Sequence, residues 1–218
     1  MTARTKSGPP LRSAELSRVA LTNNLTALRA EHGDDVVLDL RADALGCGLA
    51  EVGAVAQEVG IRHCLIDFSQ LAPSGLHAAA PGTPAMSGWW DGPGGPVVAF
   101  SATVISVKAV PSGTPVSYGY EYTTTSDTTL ALVSAGFADG VPRVPGAKIA
   151  LDGVLFPIAG RIAMDQCVVD VGNAAVTVGD RAMIWGDSPS LAQWSSWSKR
   201  PEAALLAHLG SRVVRSWH

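Results

Sequence analysis

Cys47 sits between two glycines, Gly46 and Gly48, directly ahead of Leu49–Val59, whose apolar residues recur at helical spacing. A thiol at a helix N-terminus is stabilised as the thiolate, its nucleophilic form. None of the five histidines (His32, His63, His77, His208 and His218) lies at a recognisable partner spacing, and a free cysteine is usually a small buried hydrophobe. Packing is therefore the expected role of Cys47. The same glycines invite a second reading, because a strand, a Gly-rich loop and a helix can hold a pyrophosphate on loop amides. The spacing argues against it: the third glycine of that pattern falls at position 51, where Glu51 would repel phosphate. Cys47, Cys64 and Cys167 are an odd number with no Cys-x-x-Cys, which suits neither a disulfide framework nor a zinc site. Reduced thiols and no metal are expected.

The elements that would position these residues follow from pattern. Leu21, Leu25 and Leu28, with Ala14 continuing the face backward and Gly33 as a C-cap, predict a helix over 13–33. Val36–Leu40 reads as a strand, Gly46–Gly48 as a loop, Leu49–Val59 as a helix and Ile61–Asp67 as a second strand, an order that favours parallel pairing. From Ser69 to Pro96 the chain is Ala, Gly, Pro and Ser around Trp89-Trp90, which reads as a linker whose indoles cover an apolar face. Val97–Val110, Leu130–Ala135, Lys148–Leu151, Val154–Ile158, Ile162–Val171 and Arg181–Trp185 read as short strands, with Asp152-Gly153 as a two-residue hairpin turn. Together they predict a compact β-domain, barrel or sandwich. Pro201–Leu209 closes it as a short helix with proline at its first position.

Composition bounds the rest. With 218 residues, 47% of them hydrophobic, the chain can bury one ample core or two small ones, which excludes disorder. Lys and Arg number 16 against 19 Asp and Glu, so no basic field stands ready for nucleic acid or an anionic membrane. No apolar run approaches the roughly 18 residues of a membrane span, and Met1–Pro10 lacks the apolar region of a secretory signal. A cytoplasmic protein is the expectation.

Several segments, in order along the chain, resemble bacterial alanine racemase. Val116-Ser117-Tyr118-Gly119 looks like the start of that family's β-domain. Residues 136–143, Gly-Phe-Ala-Asp-Gly-Val-Pro-Arg, resemble its Gly-Tyr-x-Asp-Gly-x-x-Arg loop, and residues 160–166, Gly-Arg-Ile-Ala-Met-Asp-Gln, its Gly-Arg-x-x-Met-Asp-Gln strand. Gly210–Arg215 resembles its C-terminal end. Ala14-Glu15-Leu16 and Asn23-Asn24-Leu25 look like its first helix, and residues 40–48 like its cofactor segment Val-Lys-Ala-x-Ala-Tyr-Gly-His-Gly.

The resemblance implies an α+β, two-domain chain: residues 1–95 as a truncated fragment of the (β/α)8 barrel that binds pyridoxal phosphate, and 96–218 as the barrel-like all-β domain. A closed (β/α)8 barrel typically takes about 250 residues. The departures bear on activity. Arg41 stands where the family's lysine carries pyridoxal phosphate, and a guanidinium that stays protonated is no substitute amine. Phe137 stands where its tyrosine acts as second acid/base, and a phenyl ring has no proton to transfer. Leu45 and Cys47 replace the cofactor segment's tyrosine and histidine, and none of Lys6, Lys108, Lys148 and Lys199 sits at the end of an expected barrel strand. No catalytic residue and no bound cofactor are expected. By resemblance, Met164 and Asp165 would face substrate, while Tyr118, Asp139, Gly140, Arg143 and Arg161 would shape the loop and interface; Arg161 with Asp165 or Asp139 is a candidate structural ion pair. The leading expectation is a non-catalytic β-domain module that forms a homodimer or associates with a genuine alanine racemase. The competing one is a racemase or isomerase of alanine with residual or altered activity.

Overall fold

A computed structural model describes residues 10–218. The predicted helix over 13–33 divides in two. Arg12–Leu16 is a strand, β1, and Ser17 then caps helix α1 (Arg18–His32), its Oγ accepting from the Ala20 N–H at 3.3 Å. Ala14 therefore does not continue the helical face; it is fully buried in a sheet. The partners of β1 lie far away in sequence, and no local spacing announces them.

Three short strands, β2 (Val37–Asp39), β3 (His63–Leu65) and β4 (His77–Ala78), form a parallel sheet, with helix α2 (Leu49–Glu58) crossing from β2 to β3. On the other side of β2, Met86 makes an isolated parallel bridge to Leu38, its N–H reaching Val37 O at 2.7 Å and its carbonyl accepting from Asp39 at 2.9 Å. The stretch that composition marks as a linker thus adds one short parallel segment to each edge of the β2-β3 pair. It also delivers two buried indoles. Trp89 donates from Nε1 to Asp39 O at 3.1 Å, and Trp90 to Glu202 Oε2 at 2.8 Å. Asn24 of α1 fixes this segment: its Nδ2 donates to Trp89 O (3.2 Å) and Gly95 O (3.0 Å), and its Oδ1 accepts from the Gly94 N–H (2.7 Å). A buried amide with every group paired is a rigid staple.

Between β2 and α2 the backbone does something unforeseen. Ala42, Asp43, Ala44 and Leu45 all have φ between +50° and +58°, one left-handed turn built from four residues with side chains. Such a conformation costs about 1–2 kcal/mol per residue, so other bonds must over-determine it. Asp67 Oδ2 accepts from the Ala42 N–H (2.7 Å), Asp43 Oδ1 from the Leu49 N–H (2.8 Å), and Cys47 O from Trp217 Nε1 (3.1 Å).

The remaining strands are β5 (Val98–Val110), β6 (Pro115–Val116), β7 (Tyr122–Thr123), β8 (Thr128–Val133), β9 (Lys148–Leu151), β10 (Val154–Pro157), β11 (Cys167–Gly172) and β12 (Arg181–Trp185). Helices α3 (Leu191–Ser198) and α4 (Glu202–Ala207) follow, and β13 (Val214–Trp217) ends the chain. The main sheet runs β10-β9-β12-β5-β1-β13, with β8 and β11 branching from the far half of β5. Strand β1 is antiparallel to β5 and parallel to β13, so the first and last described strands lie side by side. The β9-β10 hairpin turns at Asp152-Gly153 as expected, both residues at positive φ.

The circuit β5-β8-β11-β10-β9-β12 almost returns on itself. Its last side is a single bridge, Ile158 with Val169, so the barrel-like expectation is corrected to a curled sheet that does not close. Pro201 is the N-cap of α4 rather than its first residue, and α3 was not expected. One apolar cluster joins both sheets, from Leu21, Leu38 and Val52 to Phe100, Ile149 and Trp185. Among the described residues, no helix is long and apolar enough to cross a membrane.

Candidate functional site

The resemblance singles out two places, and the fold keeps them apart. The first is the C-terminal end of β2. Arg41 folds back onto Asp39 in a two-pronged ion pair, Nε to Oδ1 at 2.9 Å and Nη2 to Oδ2 at 2.6 Å. The hydrogen bonds and charge of Arg41 hold the Asp39 carboxyl below its usual range. Cys47 lies behind, buried, and burial pushes its thiol up to about 12 despite the nearby positive charge of Arg215. That is the opposite of an activated thiolate, in line with packing as its role. The cysteines are free thiols, each of them buried.

The second place is the loop after β8. Phe137–Asp139 form one 3-10 turn that lies along residues 163–164, with Phe137 N–H donating to Ala163 O and Ala138 N–H to Met164 O, both at 2.9 Å. Gly136 permits this approach: a Cβ there would stand 2.6 Å from Ala163 O, Met164 O and the Gln166 nitrogen. Gly140, at φ +103°, ends the turn in a conformation that side chains resist. Phe137 is 41% exposed, and the Arg143 guanidinium stacks over its ring at 4.7 Å. Arg143 also donates from Nε to Ile162 O at 3.0 Å and from Nη2 to the Met164 sulfur at 3.3 Å.

Asp139 is wholly buried and works inward. Its Oδ2 accepts from the Gly136 N–H at 2.9 Å, while its Oδ1 lies 2.9 Å from Arg12 Nε and 3.0 Å from Arg212 Nη2. Arg212 reaches Asp165 as well, at 2.5 Å, and Arg12 Nη2 donates to Asp165 O at 3.2 Å. The expected pairing of Arg161 with Asp139 or Asp165 is thus corrected: Arg161 pairs with Glu121 at 2.5 Å, and the two aspartates belong to Arg12 and Arg212. Sequence reasoning missed Arg12 because the strand it opens was read, from Ser13 on, as the start of a helix. It also missed Glu121, which no motif marks.

Arg161 stands between two clefts. One, of about 430 Å³, is lined by Glu121, Tyr122, Arg143, Ile158, Arg161 and Ile162; the other, of about 400 Å³, by Tyr118, Tyr120, Arg161, Ala163 and Gln166 among others. Tyr118 is 78% exposed, and Met164, about half exposed, shares Arg143 with the Phe137 ring. The β6-β7 hairpin that bears Tyr118 is tied down by Tyr122, whose hydroxyl donates to Asp170 Oδ2 at 2.6 Å. That bond, with burial, pushes the Tyr122 phenol up to about 12. Burial works against ionisation of Asp170, but donors from Thr128, Tyr122 and the Gly172 N–H outweigh it and hold the carboxyl low. Among the described residues, no hydrogen bond or ion pair joins Arg41 or Asp39 to the Phe137 loop. Within one chain these are two separate clusters.

Comparison with known proteins agrees with the family resemblance. Residues 97–217, more than half of the chain, match the family model of the alanine racemase C-terminal domain. Alanine racemase of Streptomyces coelicolor is 40% identical over 126 residues, covering 55% of this chain and 32% of that protein; that of Deinococcus deserti is 33% identical over 175 residues, covering 79% and 46%. The chain thus spans about a third to a half of the length of these curated relatives. In structure, the Streptomyces coelicolor alanine racemase superposes with a TM-score of 0.82 at 20% identity, covering 94% of this chain and 97% of that one. The Bartonella henselae enzyme gives 0.81 at 16% identity, covering 96% of this chain and 100% of the other. At such identities the superpositions speak for the fold alone, and it is the family model that assigns the chain to the alanine racemase family through its C-terminal domain.

Proposed function

We propose that this chain is a non-catalytic member of the alanine racemase family, in which the curled β-sheet domain serves as a dimerisation or partner-capping module and the parallel arc is a truncated remnant of a (β/α)8 barrel. The observation that carries the reading is the state of Arg41. Its guanidinium is neutralised by Asp39 at 2.6 and 2.9 Å and offers no amine for a carbonyl carbon.

The residues present do not fit a lysine-bound pyridoxal phosphate. Lys108 lies on β5, Lys148 on β9 and Lys199 at the C-cap of α3, none of them on the parallel arc; Lys6 lies outside the described residues. The N-terminus of α2 is already capped by the Asp43 carboxylate, with Glu51 in its first turn, so an arriving phosphate would meet negative charge. Phe137, the counterpart of the family's second acid/base, packs under Arg143 and has no proton to exchange. The exposed pair Phe137 and Met164, both against Arg143, supports the module role, because apolar side chains gathered on one face favour association. Its partner is a second copy of this chain or a genuine alanine racemase. The buried, reduced cysteines support a cytoplasmic setting.

One set of tubes tests the catalytic half of the proposal. Tag-free protein is titrated with pyridoxal phosphate, reduced with borohydride, and assayed for D-alanine formed from L-alanine. A free-aldehyde spectrum with no D-alanine is expected; a cofactor fixed to a specific lysine together with D-alanine overturns it. Native mass spectrometry at micromolar concentration tests the other half. A dimer, or a complex with added alanine racemase, is expected, and a monomer that binds neither removes the module role.

A further inference from the structure

The parallel arc carries a pair of histidines that neither the family motifs nor the Phe137 face uses. His63 opens β3, and its register partner on β4 is His77. Neighbouring residues in register on parallel strands project to the same side of the sheet. Alternation places Leu38 and Cys64, both fully buried, on the covered face. The row Val37, His63 and His77 therefore lies on the other face. In a closed (β/α)8 barrel both faces of such strands are packed. Here the row stops at β4, His63 is only part-buried, and His77 is exposed.

The two imidazole rings have centroids 5.8 Å apart and planes inclined at 39°. An imidazole nitrogen binds zinc at about 2.0–2.1 Å, which puts the ring centre roughly 3.2 Å from the metal. Two rings on one tetrahedral ion then have centres about 5.2 Å apart, so from the observed 5.8 Å the pair must close by roughly 0.6 Å to share one ion. The backbone beneath is fixed on both sides of the pair. His77 N–H donates to Arg62 O and Ala79 N–H to Cys64 O, each at 2.8 Å. Only side-chain torsions need adjust.

We propose that His63 and His77 form a two-imidazole site for a divalent transition-metal ion of the zinc and nickel class, with water completing the coordination. Imidazole suits these ions, whereas the hard cations magnesium and calcium prefer oxygen. An ion held by both strands would clamp β4, the outermost strand of the arc, onto β3.

Tag-free protein titrated with Ni²⁺ by calorimetry tests the site, with hydrogen exchange as a second readout. The expected result is one equivalent bound, slower exchange at His77 and Ala79, and binding weakened by at least about tenfold in both His63→Gln and His77→Gln. His77 is exposed, so His77→Gln leaves the backbone pairing of β4 intact and separates loss of a ligand from loss of fold. His208→Gln, which lies on another element, is expected to bind as the parent does. The proposal is overturned if Ni²⁺ does not bind, if His77→Gln binds as tightly as the parent, or if His208→Gln loses binding equally. None of these outcomes depends on racemase activity or on the oligomeric state.

Discussion

Arg12 Nε lies 2.9 Å from the buried carboxylate of Asp139, a contact between the first described strand and the loop that carries Phe137. The approach is off-axis for a hydrogen bond, so charge rather than a directed bond holds the pair. Arg212 closes on the same oxygen from the C-terminal side at 3.0 Å. One carboxylate therefore ties together the two ends of the described chain and the turn between β8 and β9. The Asp-Gly pair at 139–140 reads from sequence as turn chemistry; in the fold it is also the electrostatic centre of the domain.

Asp139→Asn removes the charge and leaves two guanidinium groups facing a neutral amide. Breaking a buried ion pair by deleting one partner costs about 3–5 kcal/mol. Arg212 is half-exposed and can turn toward water, which places the expected loss near the lower end, about 3 kcal/mol. Urea denaturation of the variant checks this. A loss under about 1 kcal/mol would show that Asp139 is a turn residue and nothing more.

Asn24→Ala tests the staple on the tryptophan segment. The amide satisfies two carbonyls and one N–H that otherwise have no access to each other, and leaving such groups unpaired costs about 1–3 kcal/mol. Trp89 and Trp90 would also loosen, so a red shift in tryptophan emission should accompany the lost stability. Lost stability with unchanged emission would place the damage elsewhere in α1.

Ala42→Gly should raise stability. Ala42 is exposed and sits at φ +54° in the left-handed turn. Glycine there removes strain of about 1–2 kcal/mol and gives back roughly 0.5–1 kcal/mol in unfolded-state entropy, a net gain of about 0.5–1 kcal/mol. A lower melting temperature in the variant would contradict the left-handed geometry itself.

These contacts also show what the sequence reveals and where it falls silent. The β9-β10 hairpin is legible because its signal, Asp152-Gly153 between apolar runs, lies within a few residues of its consequence. Strand β1 is not legible: its five residues gain their conformation from β5 and β13, about 85 and 200 residues away, and Ala14 fits a helical face equally well. Helix α3 did leave a local signal, a capping box in which Ser190 and Gln193 bond reciprocally, in the stretch between Trp185 and Pro201 to which no element was assigned. The left-handed turn leaves none, since alanine and leucine disfavour it and one aspartate, which tolerates it singly, does not announce a run of four. At the candidate site, Phe137 and Arg41 are legible as missing chemistry, whereas Arg12, Arg212 and Glu121 acquire their roles only when distant segments meet.

Alkaline pH should destabilise the fold mainly through two thiols, Cys47 and Cys167, with the buried Cys64 and, above pH 10, the Tyr122 phenol acting in the same direction. Burial, against the pull of Arg215, raises Cys47 from 9.0 to about 12, and burial with the negative charge of Asp139 does the same to Cys167. Above pH 9 the unfolded chain gives up both protons while the folded chain keeps them. The unfolded state then binds fewer protons, so stability is complete below pH 9 and falls as pH rises toward 12. Each thiol contributes a slope of up to about 1.4 kcal/mol per pH unit. Urea midpoints between pH 8 and pH 10.5 measure it, and Cys47→Ala should remove one thiol's share. A midpoint that stays level above pH 9 would mean that both thiols meet solvent.

Phe137→Ala separates stability from association. The ring is 41% exposed and its main partner is the Arg143 guanidinium, a stack worth about 0.5–1 kcal/mol at an accessible position. With the lost burial of its inner edge, the expected destabilisation is about 1–2 kcal/mol, small enough for the variant to fold. Under the proposed module role the same ring lies near the middle of the docking face, beside Met164 and Arg143. Truncating a central aromatic anchor typically costs 2 kcal/mol or more of binding, about thirtyfold in affinity. Sedimentation equilibrium of the parent and the variant reads that loss directly. If the variant self-associates as the parent does, the Phe137 face is not the interface, and the contact belongs on another surface of the domain.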